Sequence, residues 1–276
     1  MSRSNPQKPK RSVLKMISRT WLATGALVVC YGLTLTSCAP VADHSGAARI
    51  KSVPNETPQT VSRLTVARDL WQSENGVDGD PYSAGFAAYE IASVTHDAKW
   101  STEAIAKLGE AQDAMPGFAL ATAWRGSAHA LAARDFPMQG AWQIVPGPGF
   151  VRMYHVKRAE ALLNAAVSEA PNDPAVRLIR AATLANMPAL LIDEGVAATD
   201  FAQLAAWDAD HSLNPRFANI LAAEKWRADF YSAYADHLTA TGETGRAAVV
   251  AAKHQALNPT LKQQEVVSWN TAQIKQ

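Results

Sequence analysis

Residues 228–259 read ADFYSAYADHLTATGETGRAAVVAAKHQALNP, and the reading of the fold turns on this stretch. Tyr231, Tyr234, Ala235 and Leu238 recur at helical spacing, a break follows near Gly242, and Ala247 and Ala251 mark a second helix that Pro259 closes. Proline lacks the amide hydrogen and clashes with the preceding turn, so it stops a helix where it stands. Three earlier segments end in the same manner: Ala111-Gln-Asp-Ala-Met-Pro116, Ala166-Val-Ser-Glu-Ala-Pro171 and Asp210-His-Ser-Leu-Asn-Pro215. The last two proline intervals are each 44 residues and the first is 55. A helix pair that recurs and closes on proline is the pattern of a solenoid.

Outward from that stretch the chain reads as helix after helix. Alanine is abundant, β-branched alternation is scarce, and Gly and Pro fall between periodic segments. Candidate helices run over 62–73, 83–97, 101–114, 117–134, 152–169, 174–186, 199–212, 216–240, 243–256 and 260–274. Ala159, Leu162, Leu163, Ala166, Val167 and Ala170 form one apolar helical face.

With these positions aligned, the stretch from Ala228 to Pro259 resembles a tetratricopeptide repeat. Ala159, Leu163 and Ala166 keep the matching face in the unit ending at Pro171, with Gly126 at the small position of its first helix. Ala104, Leu108 and Ala111 do so in the unit ending at Pro116. The unit ending at Pro215 departs from the pattern, with Gln203 and Asp210 where small residues are expected. The resemblance covers about Tyr82 to Thr260. It implies an all-α fold, an α-α solenoid of about three to four tetratricopeptide-like helix pairs with loop insertions. One insertion is Phe136 to Phe150, with Trp142, Ile144 and the Pro146-Gly-Pro-Gly149 run, which we expect to be non-helical and to fold back over the repeats, contact with a partner being the alternative. Pro188 to Ala198 is a second.

The repeat register also implies a concave surface made chiefly by first helices. It places Leu120, Ala123, Ala130, Leu178, Ala182 and Ala185 there, a small and apolar lining. The C-terminal segment with Val266, Val267 and Trp269 is the simplest filler; an apolar ligand or partner is the alternative. The same register puts Arg125 and Arg180 where the family has buried apolar side chains. Buried charge is costly unless paired, so internal ion pairs with Glu160, Asp135 or Asp193, or snorkelling to the rim, are expected. The sharper alternative is a clamp for one carboxylate or phosphate, since guanidinium binds such groups bidentately.

The N-terminus has its own signature. Six basic residues, Arg3 to Arg19, precede an apolar run from Trp21 to Leu35, with no acidic residue before Cys38. A basic segment, a short apolar segment and small residues make a secretory signal peptide. Leu35-Thr36-Ser37-Cys38 resembles the bacterial lipobox, which implies cleavage before Cys38 and acyl chains upon it. Residues 1–37 are then the signal peptide, 38–62 a lipidated flexible tether rich in Pro and Ser/Thr, and 63–276 the repeat domain. Ala39 after the cysteine is the pattern of lipoproteins sorted to an outer membrane. Loss of the leader leaves 20 basic against 25 acidic residues, a balance near −5 in place of +1. A mildly acidic chain gives no basic stripe for nucleic acid.

No assembled catalytic constellation is legible: no Gly-rich phosphate loop, no His-Glu-x-x-His, no Gly-x-Ser-x-Gly. Glu74-Asn-Gly-Val-Asp-Gly-Asp80 lacks the ligand alternation of a calcium loop and reads as a solvated turn. The seven histidines are scattered, with no metal-ligand spacing. No cofactor, metal or catalytic residue is expected. The expectation is a non-enzymatic lipoprotein on the periplasmic side of a bacterial outer membrane, holding an envelope protein. The alternative is a small organic-acid carrier, similar to the tetratricopeptide lipoproteins associated with TRAP transporters.

Overall fold

Four aspartates mark where helices begin. Asp80, Asp97, Asp173 and Asp193 sit in extended backbone, and each accepts from amides of the turn that follows. Such caps satisfy donors that have no partner inside the helix. Asp80 and Asp173 are each followed by proline at the first helical position, where the missing N–H costs nothing.

The computed structural model describes residues 58–136, 146–188, 191–220 and 224–257, all within one unit, Glu56–Gln276. The described residues are helical, with no strand among them. We number the α-helices α1 (Pro58–Glu74), α2 (Pro81–Thr95), α3 (Ala98–Ala114), α4 (Ala119–Asp135), α5 (Pro146–Glu169), α6 (Pro174–Ala185), α7 (Glu194–Ala209), α8 (Pro215–Ile220), α9 (Glu224–Ala240) and α10 (Thr244–Ala256); a 3-10 turn, His211–Leu213, precedes α8. Helices α2 and α3, α4 and α5, α6 and α7, and α9 and α10 pack as consecutive pairs. The first members touch in succession, α2 on α4, α4 on α6, and α6 on α9. Helix α1 packs along α2, and Trp71 meets Trp100 of α3 edge to face at 5.3 Å.

Two glycines let the first two pairs close. A Cβ on Gly85 would lie 2.7 Å from Leu108 Cγ, and one on Gly126 would lie 2.9 Å from Leu163 Cγ. Both leucines are fully buried, as are Ala104 and Ala159 one turn before them. Alanine and glycine therefore set a short interhelical distance in this half, where the core is built of small side chains. The core of α6 to α10 is aromatic instead, with Phe201, Trp207, Phe217, Trp226, Phe230, Tyr231 and Tyr234 buried together. Tyr234 stacks between Phe201 and Phe230 at 5.2 and 5.8 Å.

Several elements differ from the sequence reading. Helix α5 begins at Pro146, so the Pro-Gly-Pro-Gly run is helical. The first four amides of a helix have no intrahelical acceptor, so prolines at its first and third residues remove no bond. Phe150 is 71% exposed and does not fold back; Trp142 and Ile144 lie outside the described residues. Helix α7 begins at Glu194, inside the expected second insertion, because Asp193 caps it. The expected helix over 216–240 consists of two, α8 and α9. The leader, Cys38, the tether up to 57 and the segment from 258 to 276 lie outside the described residues.

Candidate functional site

Arg180, on α6, finds its partner in Asp200 of α7. Its Nε donates to Oδ2 at 2.6 Å and its Nη2 to Oδ1 at 2.9 Å, while Nη1 donates to Asn164 of α5 at 3.0 Å. Arg177, one turn earlier, donates to the same Asp200 Oδ1 at 2.6 Å and lies over the Trp207 ring. Asp200 is 0% exposed, and the two arginine side chains are 17% and 13% exposed. One carboxylate thus holds two guanidiniums in a dry interhelical space. The expected partners are engaged elsewhere: Glu160 pairs with Lys157, Asp135 with Arg134 and His96, and Asp193 caps α7.

Arg125 is held differently. Its Nη1 donates to Gln112 Oε1 on α3 at 2.6 Å, and the Gln112 amide donates on to Thr122 at 2.6 Å. Its planar group lies against Gly109, where a Cβ would come within 3.1 Å, and its Nε is buried with no hydrogen-bond partner. The partner of Arg125 is therefore a neutral amide, not a carboxylate. The partners of Arg180 lie on α5 and α7 and that of Arg125 on α3, so no shared group joins the two arginines.

The residues assigned to the groove take varied positions. Leu120 and Ala123 are buried in the first core and Leu178 in the second, whereas Ala182, Ala130 and Ala185 are half-buried. Near them a hydroxyl chain crosses the first helices: Ser127 donates to Tyr89 at 3.3 Å and bonds Thr183 at 2.7 Å. Arg63 of α1 pairs with the buried Glu90 of α2. Glu90 chiefly, and Asp229 of α9 more weakly, strengthen its hold on its proton.

One constellation has no counterpart in the sequence reading. His129 of α4 and His155 of α5 meet Nδ1 to Nδ1 at 2.9 Å, and the Tyr154 ring stands edge-on to both. Burial, then the neighbouring His155, Arg125 and Arg158, push the His129 imidazole down to about 3. Burial lowers His155 as well. The pair is neutral at physiological pH, one ring donating and the other accepting. No carboxylate among the described residues bonds either ring. Among the described residues no three His, Cys, Asp or Glu side chains gather as metal ligands. Only contact across helices brings these imidazoles together; their spacing of 26 residues carries no signal.

Above the histidines, the outer face of α5 presents Phe150, Val151, Met153 and Tyr154 to solvent, beside Arg152, Lys157 and Arg158. A shallow depression runs along Met153, Tyr154, Lys157, Arg158 and Ala161. Arg152 spends its Nε on the Ala133 carbonyl near the end of α4, at 3.0 Å. Around the Glu74–Asp80 turn, Glu74 accepts from the Asp80 amide and Asp80 caps α2, so both carboxylates are used in holding the turn. No described helix is long and apolar enough to cross a membrane. No protein-family model, curated protein or solved structure matches this chain.

Proposed function

We propose that this chain is a lipid-anchored helical-repeat scaffold that holds another protein at the periplasmic side of a bacterial outer membrane. The observation that carries this reading is the engagement of Arg180 and Arg177 by Asp200, so that Arg180 and Arg125 do not converge on one site. A carrier of organic acids needs cations free to receive a carboxylate; here the best-placed guanidinium, that of Arg180, makes three hydrogen bonds inside the protein. The repeat reading is supported by the succession of first helices and by the same Gly-to-Leu approach in the first two pairs. The lipid anchor rests on Leu35-Thr36-Ser37-Cys38 and the leader before it.

Two measurements test the reading. Cys38→Ser should abolish acylation and release the protein from salt-washed membranes, because acyl chains contribute about 0.8 kcal/mol per buried methylene. Retention of the serine variant on washed membranes would show that the anchor is not at Cys38. A melting scan against a panel of small organic acids addresses the carrier alternative. A ligand at about a hundred times its dissociation constant stabilises the native state by ~2.7 kcal/mol. We expect no shift; a shift with one acid that is lost in both Arg125→Met and Arg180→Met would make this protein a carrier.

A further inference from the structure

Nine large hydrophobic side chains are exposed among the described residues, and four of them fall within five consecutive positions of α5. These are Phe150, Val151, Met153 and Tyr154. The other five, Val61, Val77, Met115, Leu213 and Val249, are scattered singly over the chain. Single exposed apolar residues are ordinary, whereas a contiguous group signals a surface that something covers. The inner face of the same helix is already buried through Val156, Ala159, Leu162 and Leu163. Helix α5 is therefore apolar on both sides at its exposed end, and one side has no described residue packed over it.

Within this stretch of α5, from Phe150 to Arg158, the charged side chains are all basic. No acidic residue occurs from 136 to 159, while Arg152, Lys157 and Arg158 are exposed there. Arg158 makes no hydrogen bond or ion pair within the described residues, and Lys157 bonds the half-buried Glu160 and the Leu191 carbonyl. The rest of the mature chain is acidic on balance. From this juxtaposition we infer that the outer face of α5, from Phe150 to Arg158, docks onto an anionic phospholipid surface.

Aromatic and aliphatic side chains beside lysine and arginine are the composition that seats a helix in the headgroup layer. The acidic remainder repels the same surface, so docking fixes one orientation of the domain. Nine residues of one helix are too few for a stable protein interface, which needs ~800 Å² from each partner. They suffice for a chain already held nearby, and here the inference rests on the lipid-anchor reading. The tether between Cys38 and the first described helix, extended at ~3.3–3.6 Å per residue, spans at most about 70 Å.

The test is hydroxyl-radical footprinting of the full chain, with oxidation of Met153 and Tyr154 read against that of Met115, exposed on another helix end. The probes are vesicles of phosphatidylglycerol and phosphatidylcholine in equal parts, and vesicles of phosphatidylcholine alone, in unwashed suspension. We expect the Met153 and Tyr154 signals to fall several-fold relative to Met115 on the anionic vesicles only. High salt should restore them, and so should Lys157→Glu with Arg158→Glu, since each lost cation weakens such binding roughly fivefold. An unchanged Met153-to-Met115 ratio on anionic vesicles overturns the inference. Equal protection on both vesicle types overturns it too, as does protection by polyglutamate without vesicles, which would assign the face to an acidic protein. Failure of the anchor reading looks different: Cys38 carries no acyl mass and the chain washes off both vesicle types. The footprint in suspension still reads the α5 face in that case.

Discussion

Asp200→Asn is the most informative substitution that the structure offers. The side chain keeps its shape, so packing is preserved and only the charge is removed. What remains is two guanidiniums, 17% and 13% exposed, facing an amide that can accept from only one oxygen. Removing one member of a buried ion pair costs about 3–5 kcal/mol, because the other charge is left uncompensated. For a domain of this size each kcal/mol lowers Tm by ~2–4 °C, so a fall of about 6–20 °C is expected in a melt followed by helical circular dichroism. Arg177→Met should be much milder, since it leaves Arg180 and Asp200 as a bidentate pair of no net charge. Arg180→Met should fall between them, because Arg177 stays at 2.6 Å from the carboxylate while Asn164 loses its donor. Adding Arg177→Met to Asp200→Asn should recover part of the loss, a coupling of about 0.5–3 kcal/mol in a double-mutant cycle. A Tm change under ~2 °C for Asp200→Asn would refute the reasoning, as the carboxylate would then not be compensating buried charge.

Gly126→Val should destabilise by about 1–3 kcal/mol in a urea titration, since its Cβ would lie 2.9 Å from Leu163 Cγ and 3.2 Å from the Ala159 carbonyl. Equal stability would mean that α4 and α5 separate freely. Ala247→Asp, at a position 6% exposed in the aromatic core, should cost several times what Ala251→Asp costs, because Ala251 is only half-buried. The histidine pair predicts an acid dependence. The folded chain refuses a proton on His129 until about 3, whereas an unfolded histidine accepts it near 6.5, so stability is full above 6.5 and is lost as pH falls toward 3. His129→Gln should flatten that slope between pH ~6 and ~4, and an unaltered slope would place the acid sensitivity elsewhere.

Most helices could be read from local chemistry. Asp80-Pro81 and Asp173-Pro174 announce helix starts because the cap and the first turn are neighbours in the chain. Gly126 and Leu163 match by repeat position, and the structure packs them so closely that a Cβ on Gly126 would lie 2.9 Å from Leu163 Cγ. The reading went wrong where composition was allowed to outrank position. Pro146 and Pro148 looked like breakers, yet in a first turn they interrupt nothing. That Arg180 needs a carboxylate follows from its position, but that Asp200 meets it, and not Glu160, Asp135 or Asp193, depends on how α7 lies against α6.

By itself the sequence determines that the described chain is helical, where its helices are capped, and which faces are small enough to pack closely. Those properties depend on bonds within one turn and on side-chain volume, both of which are local. Only the tertiary structure decides that Asp200 serves two arginines, that His129 meets His155, and that Phe150 to Tyr154 remain uncovered. Each of these depends on the rotation and offset of one helix against another. A shift of a few ångströms there exchanges one partner for another while every helix, and its hydrogen bonds, stays intact.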